Sequence, residues 1–313
     1  MSKKTEKKIG LVLGGGAIRG IAHVGVLKVL QDINLPIHQV VGTSIGALIG
    51  ALFCQYRDAR VVEEVIRTAL DSKNLRKFGV EVEYITMSTR GRKKHSLQET
   101  FRRLHLYYQA IKSYGVVEDK KMILAISDLL PDASIEDLNP KFAAVATDLY
   151  SGEPVILNSG SLRAAVRASL SIPLIFPPVQ LNGKLLVDGM VTSLVPVEEA
   201  LKLGAEVVIA VDVREPILMR ETPLNAVEVM VRCERISAFQ LAQQGLQKAH
   251  AVIRPFSAQA MSWGFDQGLD HIKKGEEATR KQMSNIMEIL KKSQKKSWLK
   301  KLEEFIAKLE QKG

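Results

Sequence analysis

The sequence predicts an α/β fold of three layers: a mostly parallel central sheet flanked by helices, with a helical cap or insertion and a C-terminal helical tail. Three observations carry this. Ile9–Leu13, Ile21–Leu30, Val40-Val41 and Ala47–Phe53 alternate as strand, helix, strand, helix, a succession that argues a parallel sheet covered on both faces. Both strands run through glycine into a helix, the first by Gly14-Gly15-Gly16-Ala17-Ile18-Arg19-Gly20 and the second by Gly42-Thr43-Ser44-Ile45-Gly46. Late in the chain, Glu206–Val211 is another continuous apolar run of buried-strand type.

The first helix follows from Val24, Leu27 and Val29-Leu30 at helical spacing, and a further helix from Asp58 to Leu70. From about Ser72 to Pro140 the pattern turns polar, basic and helical. Leu97, Phe101 and Leu104-His105 recur at helix spacing, as do Met122, Ile126 and Leu129-Leu130, which reads as a cap over the sheet. Phe142–Thr147 and Pro154–Leu157 are strands joined by the turn Tyr150-Ser151-Gly152. Leu162–Ser169 is a helix stopped before Pro173, and Val179–Val187 carries a hairpin signal at Asn182-Gly183. Val197–Leu203 is a helix ending at Gly204, Leu224–Ala249 a long amphipathic helix, and Val252-Ile253 a last strand. The organisation expected is one domain over 1–260, with the cap at 72–140 inside it. A basic amphipathic tail over 261–313 then packs on the domain or on a partner.

The 313 residues are 46% hydrophobic and 25% charged, ordinary for a globular protein with a large core. Both cysteines, Cys54 and Cys233, sit in apolar-periodic segments and read as reduced core residues, so neither a disulfide framework nor a thiolate metal site is implied. The apolar run after the basic N-terminus is too short for a signal peptide, and no run is long enough to span a bilayer. The expectation is a cytoplasmic protein. Net charge is +10 and concentrated. One cluster is Arg90-Gly91-Arg92-Lys93-Lys94-His95, extended by Arg102 and Arg103; the tail from Lys291 to Lys301 is the other. Such patches suit anionic surfaces, including the inner face of a membrane, or a simple solvated face. In the tail, Trp298, Leu302, Phe305-Ile306 and Leu309 share a face opposite lysines, which suits a membrane surface, the chain's own domain or a second subunit. Nucleic acid is disfavoured: aromatics are 5%, and none is interleaved with the basic residues.

Gly42-Thr43-Ser44-Ile45-Gly46 has the layout of a nucleophile elbow, in which a strand ends, the chain turns sharply and a helix begins. Gly42 and Gly46 relieve crowding around the turn, and Ser44 stands near a helix N-terminus that favours developing negative charge. The bland alternative makes Ser44 an N-cap only. A serine nucleophile needs a base and an oxyanion site. The loop from Gly14 through Gly15, Gly16 and Arg19 to Gly20 supplies backbone N–H groups at the start of a helix, an anion-binding nest that Arg19 would anchor. Nucleotide binding is the competing reading. It fails because a dinucleotide fingerprint wants glycine where Arg19 stands, and a Walker loop wants lysine where Ile21 stands.

For the base, His23, His38, His95, His105, His250 and His271 lie in no motif that marks a triad member. Ser44 also comes too early in the chain for an ordinary α/β-hydrolase. Asp188 is the better candidate: it follows the strand Lys184-Leu185-Leu186-Val187 and precedes Gly189 on a turn.

These residues together resemble the patatin-like phospholipase family, from about Ile9 to Val211. The resemblance rests on the glycine loop 14–20, Gly42-Thr43-Ser44-Ile45-Gly46 and Asp188-Gly189. Ala146-Thr147-Asp148-Leu149, Gly152-Glu153-Pro154 and Ala168-Ser169-Leu170-Ser171-Ile172-Pro173 support it. Met190 departs from the family's usual glycine or alanine after Asp-Gly. The resemblance implies a patatin-like fold and a Ser44–Asp188 dyad without histidine. Gly15 and Gly16 N–H groups, with neighbours in the loop, would hold the oxyanion. It further implies an acyl-enzyme, no metal or cofactor, and a lipid ester substrate of the phospholipid or lysophospholipid class. An acyltransferase using the same acyl-enzyme, or a non-enzymatic membrane- or partner-binding regulator, are the alternatives, and a homo-oligomer is compatible with either.

Overall fold

The computed structural model describes residues 7–72, 108, 112–214, 217, 222–223, 225–256 and 268–293. The basic cluster at Arg90–Arg103, the helix-spaced residues Leu97 to His105 and the tail from Trp298 lie outside them.

Eight strands form one mixed sheet: β1 Ile9–Leu13, β2 Ile37–Thr43, β3 Lys141–Asp148, β4 Pro154–Leu157, β5 Val179–Leu181, β6 Lys184–Asp188, β7 Val207–Val211 and β8 Ala251–Ile253. Hydrogen-bonded neighbours run β5-β6-β3-β2-β1-β7-β8, with β4 also on β3. The pairings among β1, β2, β3, β7 and β8 are parallel, while β4, β5 and β6 pair antiparallel. Antiparallel pairing suits β3–β4 and β5–β6 because each pair is joined by a short turn. At the β5–β6 turn Asn182 and Gly183 both take positive φ, 50° and 76°, as a two-residue hairpin turn requires.

The helices are α1 Ala22–Asp32, α2 Ile45–Tyr56, α3 Ala59–Asp71, α4 Asp119–Leu129, α5 Leu162–Ser169, α6 Met190–Ser193, α7 Val197–Lys202, α8 Ala226–Leu246, α9 Gly268–Lys281 and α10 Met283–Ser293. A 3-10 turn, Ala17–Ile21, precedes α1. Asp58 caps α3 through Arg60 N–H, Ser161 caps α5 through Ala164 N–H, and Asn225 caps α8 through Glu228 N–H.

Alternation along each strand builds the layers. Leu11, Leu13, Val40, Ala144 and Ile209 face a core shared with α1, α2, α5 and α9. Val12, Val41, Val145, Val208 and Ala210 face a second core with Val197 and Ala200 of α7 and Ala242 and Leu246 of α8. Helix α9 joins the first core through glycine. A Cβ on Gly25 would lie 1.9 Å from Ile272 O, and one on Gly275 would lie 2.0 Å from Ala22 O. So α1 and α9 meet backbone to backbone.

Two expectations need correction. Cys54 is buried in α2, where burial pushes its thiol pKa up, but Cys233 is exposed on α8. Helix α8 is also less one-sided than its sequence suggests: Val229, Met230, Ile236 and Leu241 are exposed alongside Cys233. Its buried apolar residues are Ala238, Ala242 and Leu246.

Candidate active site

Strand β3 organises the site. Its residues Ala144 to Thr147 pair with β4 along one edge. The other edge is shared: β2 pairs as far as Thr43 with Val145, and β6 takes over from Asp188 with Ala146. Ser44 therefore leaves the sheet at the register step where Asp188 arrives. Gly189 makes the junction possible, since a Cβ there would lie 2.4 Å from Val145 O and 3.1 Å from the Thr43 Cγ2 methyl.

The turn at Ser44 has elbow geometry. Ser44 takes φ 57° and ψ −125°, a left-side conformation costly for a residue with a Cβ. Its side chain makes no capping hydrogen bond to α2, which removes the N-cap reading. Both elbow glycines are required by contact rather than dihedral angle. A Cβ on Gly42 would lie 2.5 Å from the Gly46 carbonyl, and one on Gly46 would lie 2.1 Å from Leu13 O. Ser169 holds the strained residue in place. Its hydroxyl accepts from Ser44 N–H at 2.9 Å and donates to Val145 O at 2.6 Å.

Asp188 is fully buried and its carboxylate is aimed. Oδ1 accepts from Met190 N–H at 2.8 Å, a backbone bond indifferent to the Met190 side chain. Asp188 N–H donates to Ser171 O at 2.9 Å, and Asp188 O accepts from Thr147 Oγ1 at 3.2 Å. Oδ2 has no formed hydrogen bond among the described residues. Burial raises the carboxyl pKa from 3.8 to about 7; the approach of the Ser44 hydroxyl and the Met190 N–H draw it down, while the Glu234 carboxylate pushes it up. The Ser44–Asp188 contact thus acts on the carboxylate without reaching full hydrogen-bond geometry, as is common in a resting site.

The glycine loop lies against the elbow. A Cβ on Gly15 would sit 3.3 Å from Ser44 Cβ, and one on Gly20 would sit 2.1 Å from Ile45 Cγ2. Its donors differ from expectation. Gly14 N–H donates to Val211 O at 3.0 Å and Gly15 N–H to Leu194 O at 2.9 Å, so neither is available to an oxyanion. The N–H groups of Gly16 and Ala17, at the open start of the 3-10 turn, have no acceptor among the described residues. Arg19 Nε–H donates to Val213 O at 3.0 Å and ties the loop to the chain beyond β7.

The ion cluster beside that tie was not visible in the sequence. Asp212 receives Arg214 on both oxygens, at 2.7 and 2.8 Å, and Arg254 at 3.2 Å. Burial would raise its carboxyl pKa, but Arg214 and Arg254 hold it below the usual range. Arg214 also donates to Phe239 O and Gln243 Oε1 of α8. The role of Ser169, which stands in one of the supporting segments, and that of Glu234 were likewise not read, because their partners are remote in sequence. Each of the four described histidines is committed to the backbone. His23 Nε2–H donates to Gly14 O and His271 Nδ1–H to Ile18 O; His38 Nδ1 accepts from Ile9 N–H and His250 Nδ1 from Val208 N–H. His95 and His105 lie outside the described residues.

The Patatin-like phospholipase family profile matches residues 11–201. The chain is 35% identical over 211 residues to the neuropathy target esterase sws of Drosophila melanogaster, covering 67% of this chain and 13% of that protein. It is 34% identical over 212 residues to the lysophospholipase nte1 of Aspergillus fumigatus, covering 66% and 12%. It is 30% identical over 207 residues to the uncharacterized NTE family protein Rv1063c of Mycobacterium tuberculosis, covering 66% and 49%. The chain thus spans from about an eighth to about half the length of these relatives. Among solved structures it is similar to VipD from Legionella pneumophila, with TM-score 0.43 and 15% identity over 89% of this chain and 67% of that one. With its matched region running from β1 into α7, the chain belongs to the patatin-like phospholipase family.

Proposed function

We propose that this protein hydrolyses lipid carboxylic esters of the phospholipase A or lysophospholipase type, with Ser44 as nucleophile and Asp188 as general base. The observation that supports this most is the register at β3, which sets the strained Ser44 turn beside a buried carboxylate whose pKa is about 7. An unpartnered, desolvated Oδ2 is a stronger base than an ordinary carboxylate.

As Ser44 Oγ attacks the ester carbonyl, its proton passes to Asp188 Oδ2. The carbonyl oxygen becomes an oxyanion, which Gly16 and Ala17 N–H groups receive at the 3-10 turn. Collapse of the tetrahedral intermediate expels the alcohol, which takes the proton from Asp188 and leaves acyl-Ser44. Water then attacks the acyl group, gives a proton to Asp188, and the fatty acid departs as Ser44 recovers its proton. Each step uses one base, one proton and one oxyanion site.

The names of two relatives, an esterase and a lysophospholipase, agree with this reaction class. The reading extends to a cytoplasmic location on anionic membrane, reached through Arg90–Arg103 and the basic tail. No described helix is long and apolar enough to cross a membrane. Ser44→Ala tests the proposal: ester hydrolysis and labelling by a fluorophosphonate are lost while the fold is kept, and retained turnover overturns it. Supplying acyl donor with and without an alcohol acceptor separates hydrolysis from acyl transfer.

A further inference from the structure

We propose that His23 is a positioning residue that orients the oxyanion loop by clamping the Gly14–Gly15 peptide; this rests on the hydrolase reading above. His23, the second residue of α1, is fully buried. Its Nε2 lies 2.8 Å from Gly14 O. A carbonyl can only accept, so Nε2 carries the proton and Nδ1 is bare, and Nδ1 meets no donor among the described residues. Burial lowers the ring pKa to about 4 against the opposing pull of the Gly14 bond and of Asp212. At neutral pH the ring is therefore a neutral donor in one tautomer.

The Gly14 carbonyl and the Gly15 N–H belong to the same planar unit. His23 holds the carbonyl end, and Leu194 O holds the amide end at 2.9 Å. The unit before it is fixed as well, by Gly14 N–H on Val211 O. Glycine has no side chain to resist rotation of these planes, so the restraint has to come from partners. The next two amides, Gly16 and Ala17, are the ones open to an oxyanion, and their direction follows from the plane that precedes them. Without His23, the Gly14 carbonyl becomes a buried acceptor with nothing to receive, and the plane is released to turn. Catalysis depends on amides aimed at charge that develops in the transition state, so the loss falls on kcat rather than on binding.

The experiment compares His23→Leu, His23→Gln and His23→Asn. A Gln amide nitrogen reaches the position of Nε2, whereas that of Asn stops short of it. The Leu variant is expected to lose roughly 100-fold in kcat, the scale of one oxyanion donor, with KM within about twofold. Gln restores most of kcat and Asn does not. Full activity in the Leu variant, a loss carried by KM, or equal rescue by Asn and Gln overturns the proposal. If the Leu variant fails to fold, the Gln–Asn comparison decides alone. Nitrogen-15 NMR of the wild-type ring gives a readout independent of turnover: protonation on Nε2 is expected, and protonation on Nδ1 overturns the assignment. Failure of the hydrolase reading shows itself separately, as turnover that survives Ser44→Ala.

Discussion

Asp188→Asn should gain stability relative to wild type as pH rises. Burial lifts the Asp188 pKa from 3.8 to about 7. The folded state therefore keeps a proton that the unfolded chain gives up, and stability is lost as pH climbs from 3.8 through about 7. At about 1.4 kcal/mol per pH unit, the full window costs about 4 kcal/mol, and the part between about pH 5 and about pH 8 costs about 3 kcal/mol. Asparagine does not titrate. Whatever the substitution costs in packing or hydrogen bonding is nearly constant with pH and cancels in the difference. The stability gap between variant and wild type should therefore widen, in the variant's favour, by about 3 kcal/mol between those two pH values. Urea denaturation of both proteins at both pH values measures it. A gap that stays constant or narrows would refute a buried, proton-retaining Asp188 and the basicity argued from it. In the same proteins, hydrolysis by wild type should rise through about pH 7 as Asp188 ionises, while the Asn variant is inactive.

Ser169→Ala leaves Ser44 N–H and Val145 O without their shared hydroxyl. It should cost about 2 kcal/mol in chemical denaturation, and activity should fall further than the folded fraction does. Glu234→Gln removes a charge that raises the Asp188 pKa, so the acid limb of the kcat/KM profile should move to lower pH; movement to higher pH, or none, contradicts the coupling. Gly275→Ala places a Cβ 2.0 Å from Ala22 O and should destabilise by about 3 kcal/mol in a thermal or urea melt, because α1 and α9 must separate.

Much of the fold was legible wherever local chemistry decides. The run Ile9–Leu13 is a strand with those bounds, as are Pro154–Leu157 and the helix Leu162–Ser169. Asn182-Gly183 marked its hairpin because few other residue pairs accept two positive φ angles. The 3-10 turn before α1 and the short helix α6 were not foreseen, since neither is long enough to show a period. The candidate site divides in the same way. Ser44 between Gly42 and Gly46, and Asp188 before Gly189, stood out because close backbone approach excludes any Cβ at those glycines. Ser169 did not, because its partners Ser44 and Val145 are remote in sequence. The commitments of the loop were not legible either: nothing near Gly14 or Gly15 reveals that Val211 O and Leu194 O take their N–H groups.

By itself, then, the sequence determined the alternation of strands and helices, the two glycine-flanked turns and the placing of Ser44 and Asp188 at turns, because sterics and short-range periodicity act within a few residues. Only the tertiary structure decided which groups are left over for chemistry. Whether an N–H, a carboxylate oxygen or an imidazole is free depends on partners brought from elsewhere by sheet register and burial, and those are properties of the packed chain. The Asp188 pKa of about 7 is one such property, and the clamped Gly14–Gly15 peptide is another.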